Sequence, residues 1–221
     1  MTPFKFYDLF VTIVETFPVV PIFLGLRRWK LLSVGMIFFL GFFMADLILN
    51  KIGDYYYYVL RRNNLFLHYY YSLFQGCFIL LSFFHFFKQK IEKLIVLFLA
   101  ALCILLILVD FLYISGIDFN YISGPSIDLI IFCVSIFYFS NNIIDSNVKF
   151  SITKEFYLKI SLILSLQFFI KFIDAFLEKY LLEAQNNAFL WLQVKDIYYY
   201  FMLFCLVMYS YIMYNIKNYE V

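Results

Sequence analysis

Apolar residues run along this chain in long blocks, with polar residues collected mainly between the blocks. Seven such stretches can be read, at about 9–26, 31–50, 65–87, 91–114, 127–144, 156–177 and 190–214. Each is long enough, at roughly 18 residues or more, for a helix to cross the hydrocarbon of a bilayer. A large soluble helical core would instead carry polar faces at helical period. The pattern therefore predicts an all-α, polytopic transmembrane helix bundle of about seven spans, a single transmembrane domain over 1–221 with no stretch left for a soluble one.

The first stretch does not read as a cleavable signal. Lys5 is the only basic residue before it, Glu15 interrupts it, and Arg27-Arg28-Trp29-Lys30 follows where small residues would mark a cleavage site. No repeat of fixed period and no pair of broken helices in two halves is present, which argues against an inverted-repeat transporter.

Basic residues between the blocks set the expected orientation, because Lys and Arg are retained on the cytoplasmic side. Arg27, Arg28, Lys30, Lys88, Lys90, Lys93, Lys149, Lys154, Lys159 and Lys217 fall on one side, and Lys5, Lys51, Arg61, Arg62, Lys179 and Lys195 on the other. The bias predicts an outside N-terminus, a cytoplasmic C-terminus and a multi-pass protein of the cell inner membrane. Asn50 to Asn64 becomes the longest outer loop, its Tyr55–Tyr58 run an interfacial aromatic belt. Ser123-Gly124-Pro125-Ser126 reads as the turn opening the fifth span.

Composition agrees with this picture and removes other classes. Of the 221 residues 65% are hydrophobic, 24% aromatic and 14% charged, with a mean hydropathy of +0.86, so the chain has too much apolar surface to stay disordered. The net charge of +2 is dispersed in small groups and suggests no nucleic-acid partner. Cys77, Cys103, Cys133 and Cys205 all lie inside apolar stretches without metal-ligand spacing, and the two histidines, His68 and His85, sit at opposite ends of one span. Neither a disulfide framework, a metal site nor a cofactor is expected. No nucleophile elbow occurs, and Lys195 stands too near the end of the last span for a retinal Schiff base.

The informative positions are the ionisable groups inside the spans, because each is costly in a bilayer unless it turns inward and finds a partner. They fall on helical faces: His68, Ser72, Gln75 and Ser82 on the third span; Asp128, Ser135 and Asn142 on the fifth; Gln167, Lys171, Asp174 and Glu178 on the sixth; Asp46 and Asn50 on the second. Such stripes serve equally as hydrogen-bonded glue between helices. Their depth favours a polar pocket on the outer side, with Glu15, Asp46, His68, Gln75, Asp110, Asp128, Lys171 and Asp174 as its candidate residues. Lys171 is expected to neutralise Asp110 or Asp46 across the bundle, or to pair with Asp174 at i, i+3. Glu15, near mid-membrane and a turn before Pro18 and Pro21, either takes up a proton or hydrogen-bonds a neighbouring helix.

Glu15-Thr-Phe-Pro18-Val-Val-Pro21-Ile-Phe-Leu-Gly25-Leu-Arg27, with Asn63-Asn64-Leu-Phe-Leu-His68-Tyr-Tyr-Tyr-Ser72-Leu-Phe-Gln75 further on, resembles a group of small, uncharacterised multi-span membrane proteins of Bacteroidota. The resemblance covers the first and third spans and implies a membrane fold without a particular activity. Gln75 stands where that pattern leads one to expect an acidic residue.

These features lead to the expectation of a non-enzymatic membrane subunit that binds or senses a small ligand from the outer side, or forms a complex. Besides the lipid bilayer, its partner would be another protein or a small ligand. A proton-coupled transporter and an intramembrane lipid-modifying enzyme are the alternatives.

Overall fold

A computed structural model describes residues 3–114, 122–144, 152–181 and 188–216, and all regular structure among them is helical. The helices are α1 (Pro3–Thr16), α2 (Val19–Arg27), α3 (Val34–Asp54), α4 (Leu67–Phe86), α5 (Lys90–Val109), α6 (Ser123–Ile144), α7 (Ile152–Lys179) and α8 (Ala188–Tyr214). Of the basic residues used for orientation, Lys149 and Lys217 lie outside the described residues.

Among the described residues six segments are long and apolar enough to cross a membrane: Leu9–Arg27, Val34–Val59, Lys90–Ile114, Ser123–Ile143, Glu155–Glu178 and Gln193–Tyr214. They make the chain compatible with a multi-pass integral membrane protein. The expected third span forms as α4, a helix of 20 residues, yet it is not among the six. The reason is its place in the bundle. Packed between α3, α5 and α6, it buries Ser72, Gln75 and Ser82 among neighbours and so needs less apolar surface than a helix facing lipid on one side.

α1 and α2 form the first expected span in two pieces. Pro18 has no N–H to donate to Val14, and the ladder resumes with Val20 donating to Phe17 at 2.9 Å. α3, α4, α6, α7, α8 and the α1–α2 pair then close a ring, each packing on the next, while α5 lies outside it against α4 and α6. Close approach inside the ring depends on glycine: a Cβ on Gly25 would fall 2.5 Å from Leu40, and one on Gly35 would fall 2.6 Å from the Phe86 ring.

Much of the expected outer loop Asn50–Asn64, and the expected turn Ser123–Ser126, prove to be helix. α3 continues to Asp54 and on through a π turn at Tyr55–Val59, so the tyrosine run is helical and only the chain from Leu60 to Phe66 connects α3 to α4. The Asn50–Asp46 hydrogen bond of 3.1 Å and the Lys51–Asp54 ion pair of 2.7 Å, spaced four and three apart, support those extra turns. Arg61, with a φ of 50°, turns the chain back, and Asn64 reaches the carbonyl of Gly53 at 3.4 Å. Ser123 to Ser126 likewise form the first turn of α6, where Pro125 is tolerated because first-turn N–H groups have no partner within the helix.

The core is aromatic. Halfway along the ring, Phe39, Phe43 and Tyr209 meet with ring centroids 5.0 to 5.3 Å apart, and Phe42 and Phe168 extend the layer. Phe39, Phe43, Phe168 and Tyr209 are wholly buried. At one end of the ring a second group, Phe83, Phe86, Phe87 and Tyr138, packs against Tyr157, which stacks on Phe86 at 4.2 Å and donates to the Ser33 hydroxyl at 2.6 Å. The opposite end is not filled.

Candidate functional site

At that opposite end the ring encloses a cavity of about 620 Å³. Every member of the ring contributes to its wall, and α5 does not. α1 supplies Val14 and Glu15, α3 supplies Asp46, Asn50 and Asp54, and α4 supplies His68, Tyr71 and Ser72. Pro125 and Asp128 come from α6, Lys171, Asp174 and Glu178 from α7, and Lys195, Tyr198 and Tyr199 from α8.

The floor is the aromatic layer. Phe43 precedes Asp46 by three residues, Phe168 precedes Lys171 by three, and Tyr209 follows the lining residue Leu206 by three. One helical turn therefore separates a charged or open lining position from a packed ring on each of these helices. Tyr209 donates to Gln167 Oε1 at 2.8 Å within this layer, so its one polar tip is satisfied.

Two ion-pair groups stand in the wall. Lys171 Nζ lies 2.6 Å from Gln75 Oε1 and 3.3 Å from Asp128 Oδ1, and Gln75 Nε2 donates to the same Asp128 oxygen at 2.7 Å. The Lys171 ammonium also rests 4.5 Å from the Tyr71 ring centroid, a cation–π arrangement that offsets part of its desolvation. Lys195 Nζ binds Asp174 Oδ2 at 2.6 Å and Glu178 Oε2 at 3.1 Å. Asp174 Oδ1 is buried with no hydrogen-bond partner among the described residues.

Two further carboxylates have no cation bonded to them. Asp46 accepts from Asn50 at 3.1 Å and has the Tyr71 side chain nearby. Glu15 has no hydrogen-bond or ion-pair partner among the described residues, and Asp46 and Asp54 are close enough for their charges to act on it. The break at Phe17–Pro18 lies immediately after it. Among the described residues no hydrogen bond joins Glu15 to a neighbouring helix, the second of its two expected fates.

Of the eight residues expected in the pocket, Glu15, Asp46, His68, Asp128, Lys171 and Asp174 line one cavity. Gln75 stands just behind the wall as the bridge between Lys171 and Asp128. Asp110 does not join them. Its Oδ2 accepts from the backbone N–H groups of Ser123 at 2.8 Å and Ile122 at 3.3 Å, so it caps the start of α6 from the end of α5. None of the three expected partners forms an ion pair with Lys171: Asp128 takes that place across the bundle, Asp46 is influenced by Lys171 only through space, and Asp174 turns to Lys195.

The polar stripes continue beyond the floor but change character there. Ser82, Ser135 and Asn142 donate to Phe78, Ile131 and Tyr138 carbonyls at 2.8, 2.7 and 2.8 Å, each one turn back on its own helix. His85 stacks on Phe38 at the far end, with centroids 5.5 Å apart. Those residues are satisfied locally and form no second site.

Tyr71, Tyr198 and Tyr199 are wall residues not singled out from the sequence. Tyr71 lies one helical turn before Gln75 on the polar stripe, a spacing that could have identified it. Among the described residues no group of three or more His, Cys, Asp or Glu side chains is placed to hold a metal ion, and all four cysteines are free thiols. No family model, no curated protein and no solved structure matches the chain.

Proposed function

We propose that the chain is a seven-span inner-membrane protein that binds a small ligand in a cavity opening on the outer side, and that it acts without catalysing a reaction. α4 is the seventh span in this reading, and the excess of basic residues at the end away from the cavity supports a cytoplasmic location for that end. One observation carries the proposal: six ring elements converge charged and aromatic side chains on a single cavity of about 620 Å³, within the size range of small-molecule sites.

The packed aromatic floor supports binding over passage. Phe39, Phe43, Phe168 and Tyr209, all fully buried, pack between the cavity and the opposite end, whereas a carrier needs access from both sides. The connections between helices at the basic end are short where they are described, so output from such a receptor would pass to a protein partner.

A cavity-filling variant tests this. Ala175 lines the cavity and bears no charge, so Ala175→Phe occupies the space and leaves every ion pair intact. The purified protein in lipid nanodiscs should be stabilised saturably by some members of a library of small water-soluble compounds, and Ala175→Phe should lose that response. A library that acts equally on both proteins, or on neither, overturns the reading.

A further inference from the structure

The cavity wall carries six carboxylates, of Glu15, Asp46, Asp54, Asp128, Asp174 and Glu178, against two lysines. Both lysines are already committed. Lys171 is held by Asp128 and Gln75, and Lys195 by Asp174 and Glu178. Asp54 takes Lys51 at the rim, 2.7 Å away. Glu15 has no hydrogen-bond or ion-pair partner among the described residues, and Asp46 accepts only from the neutral Asn50; Lys51 and Lys171 act on these two carboxylates through space without forming an ion pair with either.

A second observation points the same way. Asp174 is more than nine-tenths buried in the wall, and its Oδ1 lacks a donor while Lys195 occupies only Oδ2. A buried acceptor left unmatched costs free energy until a donor reaches it. Glu15 and Asp46, on two helices, thus face one space with no cation bonded to either among the described residues, and a ligand that brings N–H donors and positive charge completes them.

The rest of the wall fixes the kind of cation. A bare metal ion would need converging ligands within a few ångströms, and no such group is formed among the described residues. The volume is that of an organic molecule. Tyr71, Tyr198 and Tyr199 offer aromatic faces, and Tyr71 and Tyr198 already receive the protein's own ammonium groups, 4.5 and 5.5 Å from their centroids. Those faces attract a cation and shelter an apolar frame together.

We infer that the cavity takes a small organic cation, an amine or guanidinium on a short apolar frame, with its charge toward Glu15 and Asp46 and its frame along the tyrosines. This rests on the cavity being a ligand site. The same ammonium chemistry occurs in free amines and in ethanolamine lipid headgroups.

The test is binding of n-butylammonium, phenethylammonium and butylguanidinium, against the neutral butanol and phenethyl alcohol and the anion butyrate. It is read by calorimetry and thermal unfolding in phosphatidylglycerol nanodiscs. The cations should bind at least tenfold more tightly than the neutral compounds. Glu15→Gln and Asp46→Asn should each weaken them at least tenfold, and Glu15→Gln should not lower the unliganded melting temperature, because it breaks no hydrogen bond or ion pair among the described residues and relieves repulsion from Asp46 and Asp54. Competition by nanodiscs made instead of phosphatidylethanolamine would assign the cation to a lipid headgroup, and its absence would assign it to a free amine.

Neutral compounds binding as well as cations, or both variants binding as the wild type does, would overturn the inference. If butanol or butyrate stabilises the wild type and not Ala175→Phe, the cavity remains a ligand site and only the cation is refuted. If no compound of any charge does so, both readings fall.

Discussion

Lys171 on α7 and Asp128 on α6 meet 3.3 Å apart in the cavity wall, with the Gln75 side chain bonded to both. A charged pair this enclosed, with side chains 18% and 6% exposed, is worth little relative to an apolar pair of the same shape, but removing one partner strands the other.

That asymmetry orders a set of melting temperatures. Lys171→Met alone leaves Asp128 buried without a cation and should destabilise the protein by about 3 kcal/mol, at the lower end of the usual cost. Asp128→Asn alone strands Lys171 and should also destabilise. The double variant should melt above either single variant in nanodiscs. A double variant that melts lower than both would mean that the pair is not coupled.

Asp110 should behave as a helix cap. Asp110→Ala removes the acceptor for the N–H groups of Ser123 and Ile122 and should cost about 1 kcal/mol. Asp110→Asn keeps an oxygen in place and should cost less. Neither should alter binding in the cavity. A change in ligand affinity comparable to that of Asp46→Asn would return Asp110 to the site.

The glycine contacts at the basic end give a packing test. A methyl group on Gly35 would sit 2.6 and 2.8 Å from two carbons of the Phe86 ring, which is itself stacked on Tyr157. Gly35→Ala should therefore destabilise by about 1 to 3 kcal/mol, the usual range for overpacking. Gly35→Ala with Phe86→Leu should recover part of it, as measured by thermal unfolding.

In the floor, Tyr209→Phe removes the donor to Gln167 and leaves that amide oxygen unmatched in an enclosed layer. The expected cost is about 1 to 3 kcal/mol. Replacing both residues together, Tyr209→Phe with Gln167→Leu, should be less costly than Tyr209→Phe alone. The comparison is again made by thermal unfolding.

The stripes of Asp46 and Asn50, of His68, Ser72 and Gln75, and of Lys171 and Asp174 were legible in the sequence because helical period alone decides which residues share a face. Pairing across the bundle was not. It depends on which helices adjoin, and nothing in the spacing of α7 says that Lys171 faces α6 while Asp174 faces α8. Asp110 misled for the same reason: its depth matches the other acids, but α5 lies outside the ring, so no turn of that helix reaches the cavity. The break after Glu15 was legible because Pro18 acts on its own helix. The helical state of Tyr55 to Tyr58 was not, since local side-chain pairs extended α3 past the point where hydropathy ends.

The polar residues line one space, open at one end and floored by the aromatic layer. Sided thiol labelling tests this arrangement most directly, in a background where Cys77, Cys103, Cys133 and Cys205 are replaced. Single cysteines at Asn50 and Ala175 in the cavity, and at Ser135 and Ser161 beyond the floor, are exposed to a membrane-impermeant maleimide from either face of sealed vesicles. Asn50→Cys and Ala175→Cys should react from the outer face only, and Ser135→Cys and Ser161→Cys from neither. Labelling of the cavity positions from neither face would reduce the polar residues to contacts between helices, and labelling from both would replace the closed pocket with a path through the membrane.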